Sequence, residues 1–292
     1  MSVFLMKILA VISMLIDHTA IVLFPRFIDV SVYMAMRAIG RFAFPVFAFL
    51  IVNGYERTRD VKRYLTRLLA FAVISQIPYV LVGDVNHFPE GNALTVTLSQ
   101  RWFVCLIFIL VAAIAWLTTV RANATVLWPV LALGMAVLRV TYCGVRILSE
   151  HLNVFYTLAA GLALIALADA ALKPKRDLVR LLMQALGLFS AFFLIRDNMD
   201  YGSMGIALIF SLWLARGSRF SQAGVMLLWC VVQYVLGGQH LSHFFVAALS
   251  VAPVLLYRGQ QGPRLKLAFY AIYPVHLVIL GALTVYFTFH PA

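Results

Sequence analysis

Along this chain, apolar residues gather in long runs separated by short polar breaks. One bilayer crossing takes roughly 20 mostly apolar residues. Eleven runs approach or reach that length: 4–24, 37–55, 64–83, 102–120, 124–141, 152–172, 178–195, 202–215, 222–236, 244–257 and 267–287. The eighth to tenth are short, so the pattern predicts about 10–11 transmembrane helices. In lipid every backbone polar group must be satisfied within the protein, and runs of this length do so as helices. The expected fold is an all-α, polytopic membrane helix bundle. No long hydrophilic stretch interrupts it, so a single membrane domain, 1–292, is expected.

Composition agrees with the pattern. Of 292 residues 63% are apolar and 12% charged, against about 45–50% and about 25% in soluble domains. That excludes a disordered chain, a coiled coil, a collagen-like fibre and a disulfide-stapled module. Cys105, Cys143 and Cys230 have neither metal-ligand nor disulfide spacing, and no metal is predicted. The formal net charge of +12 raises nucleic-acid binding, but in a membrane protein topology explains it better. With the N-terminus cytoplasmic and eleven helices alternating, 16 of the 23 basic residues, all five lysines among them, fall on the inner side. The C-terminus is then outside. The first run is too long for the apolar stretch of a signal peptide, and Asp17 and His18 interrupt it, so it is read as a retained helix.

Ionisable groups at membrane depth are costly and are functional candidates by default. Asp17 and His18 lie about two thirds along the first run, and a purely structural pair is the competing account. Arg37 and Arg41, at i and i+4, share one helix face near the same level, and snorkelling to outer headgroups competes there. On this topology all seven histidines and seven of eleven acids fall at or beyond the midplane on the outer side. His18 and His276 are the two set within apolar helices.

The segment KILAVISMLIDH (7–18) resembles the first helix of the TraX family, the F-pilin acetylases. IGRFAFPVFAFLIVNGYERTRDVKRYLTRLLAFAVISQIPY (39–79) is similar to that family's second and third helices. LNVFYTLAAGL (152–162), MDYGSMGIALI (199–209) and FYAIYPVHLVILGAL (269–283) resemble later elements in the same order. In the family an Asn-containing element follows the third helix fairly closely. Here Asn153 and Asn92 both qualify, and 102–141 reads as an inserted helix pair, with Asn153 favoured.

The resemblance implies a multi-pass enzyme of the bacterial inner membrane, acting in pilin modification and conjugation. It would move an acetyl group from cytoplasmic acetyl-CoA to an amine of an exported substrate, in pilins the N-terminal amine. Arg57, Arg59, Lys62, Arg63 and Arg67 would meet the CoA phosphates, with inside-positive topology as the simpler alternative. His18 is the candidate general base, since imidazole titrates near working pH. Asp17 would support it, and Arg41 and Asn153 would stabilise the oxyanion or hold the thioester carbonyl. Asp200 and Tyr201, in a short outer turn before the eighth run, would receive the acceptor's ammonium, and Arg37, Gln76, Tyr273 and His276 would line the cavity. A covalent acetyl-His18 intermediate is a less favoured variant. O-acylation of an outer-leaflet glycan or lipid is the alternative, and secondary transport a third, weakened by the lack of an inverted repeat. The acceptor and the oligomeric state stay open.

Overall fold

Helix 1, α1 (Val3–Leu23), starts where Ser2 Oγ accepts the amide of Leu5 at 3.3 Å and stops before Phe24–Pro25. A computed structural model describes residues 1–83, 94–98, 132, 135, 138–142, 145–148, 151–171, 199–263 and 265–290. Asp29 caps α2 (Val30–Gly40) by accepting from Ser31 N and Val32 N at 2.7 and 2.9 Å. After a break at Arg41–Phe42 the same span continues as α3 (Ala43–Arg57). Asp60 opens α4 (Val61–Gly83), its Oδ1 accepting from Arg63 N at 3.0 Å. Then come α5 (Val154–Ala171), α6 (Gly202–Leu214) and α7 (Arg219–Cys230). A π-helical turn, Val231–Leu236, extends α7. The chain closes with α8 (Leu241–Ala248), α9 (Val251–Leu255) and α10 (Lys266–Phe289).

The protein is a polytopic helical bundle. Among the described residues five helices are long and apolar enough to cross a membrane: Val3–Leu23, Val30–Arg57, Val61–Gly83, Arg219–Leu236 and Ala268–Phe287. Shorter apolar helices occupy Val154–Ala170, Gly202–Leu214 and Leu241–Leu255. The expected segments 102–120 and 178–195, most of 124–141, and Asn92 lie outside the described residues. The end of 124–141 corrects a helical expectation. Leu138–Tyr142 is the central strand, β2, of a small antiparallel sheet with β1 (Leu94–Leu98) and β3 (Val145–Leu148). The register runs from Leu94 opposite Tyr142 to Leu98 opposite Leu138.

Two compact units divide the chain. The first joins Met1–Arg57 to Ala207–Ala292, and the second is Thr58–Ile206. In the first, α1 packs on α2, α3 and α10, α8 packs on α2 and α7, and α9 packs on α3 and α7. Its core includes Met6, Phe44, Phe49, Trp213 and Tyr234, all almost fully buried. Leu5, Leu9 and Ile12 form an exposed apolar stripe on α1, as do Val275, Val278 and Ile279 on α10. Such stripes suit a lipid solvent. In the second unit α4 packs on α5 and on β3.

One end of the first unit gathers four chain segments. The N-terminal amine donates to Leu256 O, and Val3 N and Phe4 N donate to Gln260 O and Gln261 O at 2.9 and 3.1 Å. Arg57 donates to Gly259 O at 3.3 Å, and Arg216 lies 3.9 Å from Glu56. At the other end, Arg26 donates to Phe287 O at 2.9 Å. Helices α1 and α10 therefore run parallel, with the chain's first and last described helices starting from the same end.

Candidate active site

Toward the far end of α1, about 22 Å along the helix from Val3 at about 1.5 Å per residue, sit Asp17 and His18. Their side chains join two different networks. Arg37 Nη1 lies 2.8 Å from Asp17 Oδ2, and Arg41 Nη2 lies 3.7 Å from Asp17 Oδ1. All three side chains are largely buried, and removing one partner of such a pair typically costs about 3–5 kcal/mol. Oδ1 accepts no hydrogen bond among the described residues, so it can take one from an incoming donor. Arg37 and Arg41 were expected on one continuous helix face. Instead Arg41 is the C-cap of α2, at the break into α3, and both guanidiniums still converge on Asp17.

Two small residues make this convergence possible. Ser13 Oγ donates to Ile39 O at 2.7 Å and ties α1 to the last turn of α2. Gly40 brings its backbone directly onto Asp17, where a Cβ would sit 2.3 Å from the carboxylate carbon. Sequence reasoning passed over both, because neither carries ionisable chemistry. It also left His243 ungrouped. This residue stands on α8, which packs on α2, and its buried Nε2 has no hydrogen-bond partner among the described residues.

His18 pairs with His276 rather than with Asp17. Their Nδ1 and Nε2 atoms are 2.7 Å apart, and the ring planes agree within 5° at a centroid separation of 5.0 Å. That is the edge-to-edge geometry of hydrogen-bonded imidazoles. Tyr273 packs edge-on to both rings, at 6.0 Å from His18 and 5.4 Å from His276. The tautomers of the neutral pair follow from one fixed acceptor. His276 Nδ1 lies 2.8 Å from the carbonyl of Ile272, which only accepts, so Nδ1 carries the proton. His276 Nε2 then bears a lone pair and His18 Nδ1 donates to it. The lone pair of His18 is left on Nε2, which has no hydrogen-bond partner among the described residues. Both residues are 8% exposed, so this nitrogen sits in a nearly buried site.

Asn153 and Gln76 belong to the second unit. Asn153 Nδ2 donates to Ala72 O at 2.8 Å and Gln76 Oε1 at 2.9 Å, while its Oδ1 accepts from Phe155 N at 3.1 Å. Gln76 Nε2 donates to His151 O at 2.6 Å. Both amide protons of Asn153 are thus engaged in joining α4 to the start of α5, and none remains to hold a thioester carbonyl. The expected oxyanion role gives way to a structural one on that physical ground. Asp200 and Tyr201 form the expected turn before α6: Asp200 N donates to Leu152 O at 2.9 Å, and Thr157 Oγ1 donates to Asp200 O.

The basic residues separate as well. Arg59 and Lys62 are exposed, Arg63 pairs with Asp60 at 3.1 Å, and Arg67 lies 5.8 Å from the ring centroid of Tyr64. Arg57 instead lies in the first unit, where it donates to the Tyr257 hydroxyl at 2.8 Å.

The family model described as "TraX protein" matches residues 2–148 and 107–284. A similar protein is the "Probable fimbrial assembly protein FimC, serogroup H1" of Dichelobacter nodosus, 26% identical over 292 residues, covering 96% of this chain and 94% of the relative. No solved structure matches the chain.

Proposed function

The chain belongs to the TraX family, and we propose that it is a membrane acyltransferase moving an acetyl group from cytoplasmic acetyl-CoA to an amine of an exported substrate, such as a pilin N-terminus. The observation that carries this reading is the His18–His276 pair, which leaves a basic Nε2 on His18 in a buried site. A family linked to pilin acetylation and a relative named for fimbrial assembly support the choice of acceptor.

Aminolysis of a thioester needs a base for the amine's proton and a cation for the developing oxyanion. In this proposal the amine nitrogen bonds to the acetyl carbon and its proton passes to His18 Nε2. Collapse of the tetrahedral adduct breaks the C–S bond, and the departing thiolate takes that proton back. His276 holds His18 in the required tautomer, as the acid of a triad does for its histidine. The Asp17, Arg37 and Arg41 cluster carries one net positive charge, two guanidiniums against one carboxylate, and Arg41 is assigned to the oxyanion.

The test is acetyl transfer by purified chain in lipid discs, read by mass spectrometry of pilin incubated with labelled acetyl-CoA. His18→Ala should lower the rate by about 10²–10⁴-fold, the usual contribution of a positioned base, with insertion and thermal midpoint preserved. A folded His18→Ala chain acetylating at the wild-type rate sinks the proposal. Label appearing on envelope glycan instead of pilin would reassign the acceptor to the O-acyl alternative.

A further inference from the structure

Arginines from three separate chain segments converge on one cavity at the end of the first unit that holds the N-terminus. It measures about 470 Å³ and is lined by Arg57, Arg216, Arg219 and Arg258, with Glu56 as the acid and buried Phe49 at its wall. Small-molecule sites usually span about 300–1,000 Å³. Four guanidiniums against one carboxylate leave the lining strongly positive, and Glu56 reaches Arg216 only at 3.9 Å.

Neutral groups set three of these arginines in place. Arg57 donates to the Tyr257 hydroxyl at 2.8 Å and to Gly259 O at 3.3 Å. Arg216 stacks 4.3 Å from the centre of Trp213 and donates to its carbonyl at 2.8 Å. Arg219 donates to the carbonyl of Tyr257. The side chain of Arg258 makes no hydrogen bond or ion pair among the described residues, yet it lines the same cavity. Inside-positive topology requires basic residues in these loops but not their convergence. Arg59 and Lys62 satisfy that rule without lining the cavity. Guanidiniums fixed around one cavity repel each other, and a bound anion with several oxygens removes that repulsion while accepting paired N–H bonds.

We infer that this cavity binds phosphate groups, and that its ligand is the nucleotide end of the acyl donor. The phosphate chemistry follows from the cavity, whereas the nucleotide assignment rests on the acyltransferase reading above. Distance narrows the donor class further. His18 stands about 22 Å along α1 from Val3, which lies at the cavity's end of the unit, and Ala43, where α3 begins just after Arg41, stands about 9 Å along α3 from Phe49 at about 1.5 Å per residue. A compact acyl phosphate fills one place or the other. A donor whose phosphates and thioester are separated by a long flexible arm, as in a coenzyme A ester, can occupy both.

The experiment is equilibrium binding of coenzyme A and of ADP to the full chain in phosphatidylcholine discs, with no acceptor present. Both should bind, more weakly as salt is raised, and Arg258→Glu should weaken both by at least about tenfold, the worth of one charge-assisted contact. Arg258→Lys should recover most of the affinity, and Arg258→Gln covers the case in which the charge reversal disturbs insertion. If neither probe binds, or if the folded Glu and Gln variants bind as tightly as wild type, the pocket assignment is overturned even where acetyl transfer is observed. If both bind as expected and no acyl transfer to any acceptor occurs, the pocket stands and the acyltransferase reading falls. Discs containing phosphatidylglycerol separate the two phosphate sources: displacement of ADP by that lipid assigns the site to a headgroup and overturns the nucleotide.

Discussion

At the scale of single residues, the site depends on a contact that has no side chain on one partner. A Cβ on Gly40 would lie 2.3 Å from both the carboxylate carbon and Oδ1 of Asp17. That carboxylate cannot swing aside cheaply, because Arg37 holds its other oxygen at 2.8 Å. Gly40→Ala should therefore destabilise the protein by about 1–3 kcal/mol, as overpacking does, and lower acetyl transfer along with it. Gly224 supplies the control, since a Cβ there meets nothing within 4 Å. Gly224→Ala in the interior of α7 should be neutral or slightly stabilising. Thermal unfolding in detergent compares the two, and equal midpoints would remove the steric argument. Residue types alone revealed Asp17, His18, Arg37 and Arg41 as candidates, because charge in an apolar run is conspicuous. Their partners were not legible in the same way. Neighbours in sequence point about 100° apart on a helix, so Asp17 turns to α2 and His18 to α10, which begins more than two hundred positions later.

Elements were legible where length and hydropathy decide and illegible where a local hydrogen-bond shift does. Five long spans fall within or over predicted runs. The break at Arg41–Phe42 and the π-helical turn at Val231–Leu236 leave hydropathy unchanged, so no run length could report them. In 138–142 the alternation Leu, Arg, Val, Thr, Tyr has the period of a strand, but the apolar residues before it dominated the count. The turn into α6 is a different case, predicted as a turn and found strained. Tyr201 has φ 63° and Gly202 φ 45°, and a bulky side chain in the left-handed region costs about 1–3 kcal/mol. Tyr201→Gly should relieve part of that and raise the thermal midpoint by a few degrees. If the turn serves the acceptor, transfer should fall while stability rises. A midpoint that drops instead would mean that the Tyr201 ring contributes more by packing than its backbone loses.

For the molecule as a whole, two independent lines put the same segments on the same side. Sorting basic residues by alternating helices assigned the loops at 56–63, 216–219 and 258–266 to the inner face together with the N-terminus. Packing then brings Met1, Glu56, Arg216 and Gly259 to one end of the first unit through backbone and side-chain contacts that take no account of charge rules. The cavity lined there by Glu56, Arg216 and Gly259 was legible only through Arg57, a candidate phosphate contact, because Arg216, Arg219 and Arg258 already had a sufficient explanation as topology signals. Agreement of the two lines yields a definite expectation for sidedness. In a background without the native cysteines, Gln260→Cys should react with a membrane-impermeant maleimide only after intact cells are permeabilised, since Gln260 sits beside the N-terminus. Phe27→Cys, at the opposite end beside Phe287, should react with the same reagent in intact cells. Both positions are exposed, so a failure to react reports the membrane and not burial. The reverse pattern would put the arginine cavity outside, away from any cytoplasmic donor, and would remove the nucleotide from that site.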